Sequence, residues 1–166
     1  ARQFRGLDRL VVDDPGCVYT LRVLYAQLGV RTPAVTSTGE LLHTEIREGA
    51  WPMPPEGRWA PADSCWASRY LGEPSLRQLL GGEPHLGKGS VLEGQAGCCG
   101  GMLLPFYDPQ LADAVAKRWA ADALGGGGSR VLCQSPTCRR RLRAVGVPTD
   151  DLVRLWYQRQ QGQPIG

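Results

Sequence analysis

Apolar positions along the chain follow two rhythms: short continuous runs, and recurrences every three to four residues. The first rhythm suits buried strands and the second suits helices. Leu10-Val11-Val12 is a short apolar run closed by Asp13-Asp14 and Pro15-Gly16, which predicts a strand and a turn. Val18, Leu21, Leu24, Tyr25 and Leu28 then recur at helical spacing, and Gly29 is a natural stop. Pro33-Ala34-Val35-Thr36 predicts a second strand, with Ser37 or Thr38 capping a helix over 39–48. Residues 49–58 are dense in Pro and Gly and predict a linker, at 51–58, between two halves.

The second half repeats the theme. Trp59-Ala60-Pro61-Ala62-Asp63-Ser64 leads into Cys65, although Pro61 argues against a central strand. A helix is predicted over 74–81 with Pro74 at its first position and Leu76, Leu79 and Leu80 on one face. Ser90-Val91-Leu92-Glu93 predicts a short strand. The clearest helix is Asp108–Leu124, with Asp108 as N-cap, Pro109 at N1, and Leu111, Val115, Trp119 and Ala123 marking a face. Gly125-Gly126-Gly127-Gly128-Ser129 reads equally as a flexible linker or a helix-to-strand loop. Arg130–Gln134 predicts a strand, 139–145 a helix, and Asp150–Gln160 a last helix before a loose polar tail at 159–166. Strands alternating with helices over short loops predict an α/β fold with a parallel sheet flanked by helices.

Composition narrows the partners. The 166 residues suit one domain or two small units, and 42% hydrophobic residues can build a core. A net charge of +3 from 19 basic and 16 acidic side chains argues against a nucleic-acid binder. No apolar run approaches the roughly 20 residues of a membrane span. The first residues, Ala1-Arg2-Gln3-Phe4-Arg5, carry no Met and no apolar signal, which suggests a fragment of a longer protein.

The chemistry centres on Gly97-Cys98-Cys99-Gly100-Gly101. Adjacent cysteines rarely both face one apolar interior, and the flanking glycines suit a tight, unhindered loop. Soft thiolates on such a loop suit a metal or an iron–sulfur cluster. Cys17, Cys65, Cys133 and Cys138 complete the six, and each follows a predicted strand, where sites of parallel sheets gather. A disulfide framework is the lesser alternative, since such scaffolds are shorter and lack long helical patterns. Thirty-two residues separate Cys65 from Cys98, and 33 separate Cys99 from Cys133. A zinc ribbon wants two short Cys pairs, whereas a multi-iron cluster accepts adjacent cysteines because each binds a different iron.

These residues resemble the cysteine-rich CCG domain of heterodisulfide reductase and of the iron–sulfur subunits of glycolate, lactate and glycerol-3-phosphate oxidation. Asp63-Ser64-Cys65-Trp66-Ala67-Ser68-Arg69 is similar to the family's Asp-Pro-Cys-x-x-x-Arg segment. Gly97–Gly101 is similar to its double-cysteine turn, and Ser135-Pro136-Thr137-Cys138 to its Cys-Pro-x-Cys. The resemblance implies a second CCG repeat over 59–158 and, over 1–50, the back half of a first, incomplete one with Asp14-Pro15-Gly16-Cys17 at its Cys-Pro-x-Cys position. It implies a [4Fe-4S]-type cluster in a multi-subunit oxidoreductase. The cofactor-binding residues it points to are Cys65, Cys98, Cys99, Cys138 and Cys133, the first four as metal ligands. It implies a flavin-containing or ferredoxin-like partner subunit, a quinone or disulfide as electron acceptor, and a cytoplasmic location, held at the inner face of the membrane through partners. Ser135 and Asp14 depart from the family's cysteines, and Cys133 is shifted two residues toward the strand. Those departures favour an alternative: a structural zinc-binding or metal-free interaction domain.

The remaining candidates have plainer readings. Cys17 fits either a helix-start thiolate or a small packing residue. His43 reads as a packing or surface residue and His85 as an exposed loop residue. Asp13 and Asp14 read as helix caps. Arg139, Arg140, Arg141 and Arg143 read as a solvated helix face before a docking surface. Trp66, beside Cys65, is a candidate to shield a cluster from water.

Overall fold

The computed structural model describes residues 4–47, 59–79 and 96–161. The fold is mixed α/β, with two small parallel sheets flanked by helices. The linker at 51–58, the strand at 90–93 and His85 lie outside the described residues, as does the tail from 162.

In the first sheet, β1 (Arg9–Val12) pairs in parallel with β2 (Ala34–Ser37), from Arg9 opposite Ala34 to Val12 opposite Ser37. The crossover is one helical stretch: α1 (Pro15–Tyr19), a wide π turn at Thr20–Leu24, and α2 (Tyr25–Gln27). Asp14 caps α1, its Oδ1 accepting from the Gly16 N–H at 2.9 Å, and Pro15 sits where no N–H is needed. After β2, α3 (Thr38–Arg47) opens with a capping box. Ser37 Oγ accepts from the Glu40 N–H and Glu40 Oε2 from the Ser37 N–H, both at 3.0 Å. Arg22 grips Glu40 through two bonds of 2.8 and 2.5 Å and donates through Nε to the Val35 carbonyl at 2.9 Å, tying the crossover to β2.

The second sheet runs β3-β4-β5, all parallel: β3 (Trp59–Ala62), β4 (Arg130–Cys133) and β5 (Thr149–Asp151). Pro61 is admissible because, among the described residues, β3 pairs with β4 alone. α4 (Leu76–Leu79) begins two residues later than Pro74, because Asp63 Oδ1 accepts from the Leu76 N–H at 2.6 Å and sets the start there. A short α5 (Leu104–Tyr107), which the apolar pattern does not predict, precedes α6 (Pro109–Leu124). Asp108 caps α6 as expected, accepting from the Leu111 N–H at 2.9 Å. Its buried face is narrower than predicted, made of Ala112, Ala116, Ala120 and Ala123, and Leu111 is exposed. The glycine run after α6 is part of the fold. A Cβ on Gly128 would stand 2.8 Å from the Ala60 nitrogen, so only glycine lets this loop lie against β3.

α7 (Pro136–Ala144) starts three residues before the predicted 139, on Pro136. The last helix is also shifted: α8 (Leu152–Gln160) follows β5, where the sequence suggested helix from Asp150. Thr149-Asp150-Asp151 has poor strand propensity. It is held as a strand by ions: buried Asp150 takes Arg130 at 2.9 Å and Arg154 at 2.5 Å, and Asp151 takes Arg139.

Two apolar clusters fill the interior. One joins Ala60, Ala62, Val131 and Cys133 of the sheet to the alanines of α6 and to Leu142 of α7. The other joins Trp59, Leu76, Leu79, Leu132, Leu152 and Leu155 to Leu42 of α3, which packs the first unit onto the second. Among the described residues, no helix is long and apolar enough to cross a membrane.

Candidate thiol cavity

A cavity of about 280 Å³ opens at the carboxyl ends of the strands. Its wall carries four thiols, Cys65, Cys98, Cys99 and Cys138. They arrive from three segments. Cys65 follows β3 and opens the helical turn whose π segment is Ala67–Leu71. Cys138 is the third residue of α7. Cys98 and Cys99 lie on the glycine turn before α5. A Cβ on Gly100, whose φ is +71°, would meet the Ala112 carbonyl at 2.9 Å, so the turn depends on glycine there. Gln134 stitches two of these segments together: its Oε1 accepts from the Ser64 N–H at 3.0 Å and its Nε2 donates to the Pro74 carbonyl at 3.3 Å.

The thiols stand in two pairs. Cys99 and Cys138 Sγ are 3.1 Å apart, with Cys99 buried and Cys138 9% exposed. The two share a proton, and the Cys138 thiol is pushed up by its hydrogen bond with Cys99 and by burial. Accepting it, with help from the Gly101 N–H, lowers Cys99. Cys65 and Cys98 repeat the arrangement. Cys65 donates and is raised, burial adding to the effect; Cys98 accepts and is lowered to about 6, helped by the Gly100 and Gly101 N–H groups and by Arg69. The Gly100 N–H lies 3.4 Å from Cys98 Sγ. The double-cysteine turn therefore supplies the two sulfurs most favoured as thiolates, and thiolate is the form that binds metal or attacks an electrophile.

The other wall is aromatic and polar. Trp66 lines it and stacks with Tyr19 at 5.2 Å and Tyr70 at 4.9 Å between centroids. Arg69, Tyr70 and Met102 stand at its exposed side. Asp14, Ser135 and Thr137 complete it. Asp14 Oδ2 accepts from Ser135 Oγ at 2.9 Å and from Thr137 Oγ1 at 2.7 Å. The sequence signals helix caps for Asp14 but not this second use, and it carries no signal for Gln134 or Tyr19 beyond their places near strand ends or on a helix.

The other sequence candidates fall elsewhere. Cys133 is fully buried in β4, in the core cluster that also holds Cys99 and Cys138, and it lines a separate small cavity beside Asp13, Thr38 and Gln134. Burial pushes its thiol well up. Cys17 is exposed on α1 and is not among the residues around the thiols. His43 lies on α3, half-buried. Of the basic run, Arg139 and Arg141 pair with Asp151 and Asp113, while Arg140 and Arg143 are exposed.

The four thiols stand as two pairs, and among the described residues no three His, Cys, Asp or Glu side chains are grouped to hold a metal ion. Four thiols thus line one cavity, two of them favoured as thiolates and served by backbone N–H groups, and thiolate is the form a soft metal takes. Comparison with known proteins adds no relative: no family model, no curated protein and no solved structure matches the chain.

Proposed function

We propose that the chain is an iron–sulfur electron-transfer module of a multi-subunit oxidoreductase, of the kind its CCG-like motifs resemble. The observation that carries this reading is the presence of four cysteines, from three distant segments, on the wall of one cavity at the strand ends. Cys65, Cys98, Cys99 and Cys138 would hold a [4Fe-4S]-type cluster, which when bound supplies a one-electron redox centre. The chain's own residues set its surroundings. Cys98 and Cys99 deprotonate most readily, and the Gly100 and Gly101 N–H groups donate toward the sulfurs, which favours the reduced state of a centre held there. Trp66, with Tyr19 and Tyr70 stacked on it, keeps water from one side. Electrons would arrive from a flavin-bearing or ferredoxin-like subunit and leave to a quinone or a disulfide.

A second reading rests on Asp14 and Ser135. These two departures from cysteine satisfy each other by a hydrogen bond across the cavity wall, so neither position is left as an unpartnered donor. That favours a structural zinc-binding or metal-free interaction domain descended from the same ancestor. Metal and acid-labile sulfide analysis with EPR, on protein purified without oxygen, separates the two. Iron and sulfide near four to four supports the cluster. Zinc near one per chain without sulfide, or six free thiols and no metal, supports the second reading and ends the first.

A further inference from the structure

The carboxylate of Asp14 joins two parts of the chain more than 120 residues apart. It caps α1 through Gly16, and with its other oxygen it accepts from both Ser135 and Thr137 at the start of α7. Ser135 stands at the N-cap position of α7 yet makes no side-chain cap bond to its own helix; its hydroxyl is spent on Asp14. A local interaction has been exchanged for a long-range one, whereas an N-cap side chain ordinarily serves its own helix. Thr137 passes the constraint on. It is next to Cys138 in the chain, and its methyl packs over Gly101, where a Cβ would meet Thr137 Cγ2 at 3.1 Å and Cys99 Sγ at 3.3 Å.

We propose that Asp14 is the positioning residue of the thiol cavity. Its carboxylate latches the first unit to the start of α7 and thereby holds Cys138 against Cys99. The latch acts through Ser135 and Thr137 and touches no sulfur itself. It gives the first unit, whose own Cys17 lies outside the cavity, a part in the site. The inference concerns the protein framework and does not depend on which metal or cluster, if any, the thiols hold.

The test is the alkylation rate of each cysteine by iodoacetamide, followed by mass spectrometry, on the full chain as purified and after treatment with a chelator. Cys133 is the internal control for general loosening, because it is fully buried in the same core cluster as Cys138 but stands on β4 and makes no bond to Asp14. Ser135→Ala with Thr137→Val removes both hydroxyls and leaves the Asp14 cap on α1 intact. This double variant is expected to speed Cys138 alkylation at least about tenfold, the change that ~1.4 kcal/mol of easier local opening produces, with Cys133 unchanged. Thr137→Ser keeps the hydroxyl on Asp14 and loses only the methyl over Gly101, so it is expected to stay well below the double variant's rate. Asp14→Ala is expected to match the double variant, and adding it to the double variant is expected to change Cys138 no further. A parallel rise at Cys133 and Cys138 would mean general loosening and overturn the latch. So would an unchanged Cys138, or an Asp14→Ala effect that simply adds. If Asp14→Ala fails to fold, the double variant and Thr137→Ser still decide the matter. The chelated sample keeps the outcome separate from the cluster reading.

Discussion

Two turns of the same form begin α1 and α7: Asp14-Pro15-Gly16-Cys17 after β1, and Ser135-Pro136-Thr137-Cys138 after β4. In each, a polar residue stands at the N-cap, proline at N1, and cysteine two residues further on. Their fates differ. Cys138 is nearly buried and meets Cys99 in the cavity, whereas Cys17 is exposed and meets no thiol. The reason lies in the sheets behind them. β1 alternates exposed and half-buried residues, while Val131, Leu132 and Cys133 of β4 are fully buried between helices and neighbouring strands. A strand–Pro-x-Cys turn is a local signal; which cysteine reaches a site is decided by how deeply its unit is packed.

The largest test of that contrast is ionic. The second unit buries Asp150 at 1% exposure between Arg130 and Arg154, whereas the first unit's Arg22–Glu40 pair leaves about a third of each side chain exposed. Asp150→Ala removes the buried carboxylate on which both guanidinium groups converge; because Arg130 and Arg154 reach water, the expected cost is about 2–3 kcal/mol. Glu40→Ala is expected to cost about 1 kcal/mol, because water screens the pair and the loss is mostly the capping box. Urea unfolding of both variants measures this, and equal costs would mean that the two units depend on their ion pairs to the same degree.

A smaller effect lies where the units meet. Glu73, 8% exposed, sits over the start of α3, and neither carboxylate oxygen has a well-formed hydrogen bond. Burial raises its carboxyl above the ordinary 4.5; the Ser37 hydroxyl and Arg22 oppose the rise and Glu40 adds to it. The folded chain therefore keeps this proton to higher pH than the unfolded chain does. Its contribution to stability is fully present below 4.5 and is lost as pH rises through the folded value. Glu73→Gln removes that loss. The variant is expected to be more stable than the parent by about 1 kcal/mol at pH 7.5 and to show little gain at pH 4. Urea midpoints at the two pH values read the difference, and an equal gain at both would show that ionisation is not the cause.

How much of this the sequence carried differs by element. β1, β2 and β4 and the capped helix α6 were legible because apolar runs, Asp108, Pro109 and Ser37 are local signals. The α/β class followed from them. β5 was not legible: Thr149-Asp150-Asp151 looks like a helix start, and only arginines from β4, α7 and α8 make it a strand. Placement near predicted strand ends grouped all six cysteines, Cys17 and Cys133 included; the set Cys65, Cys98, Cys99 and Cys138 came from the resemblance to the CCG motifs. The shift of Cys133 toward the strand was visible, but not its outcome, since a strand residue two positions from a site turn points to either face depending on register. The bond between Asp14 and Ser135 was beyond reach for the same reason: each residue carries a complete local explanation as a helix cap.

The smallest expected effect is the sharpest probe of the two turns. Cys17→Ser exchanges one exposed thiol for a hydroxyl on a helix already capped by Asp14, so its stability should stay within about 0.5 kcal/mol of the parent. If the cavity holds the cluster, its iron and sulfide content should also stay the same, because the Cys17 thiol is not on the cavity wall. Cys138→Ser should lower iron sharply, because it removes a sulfur from the buried pair and leaves Cys99 without its partner. Iron analysis of both variants, purified side by side without oxygen, reads the contrast directly. Equal losses would mean that the first unit's cysteine moves to the thiols when metal binds, and the difference between the turns would then belong to the metal-free arrangement alone. A loss confined to Cys138→Ser would mean that burial of the second unit selects the ligands, with the first unit acting through Asp14 instead of through its thiol.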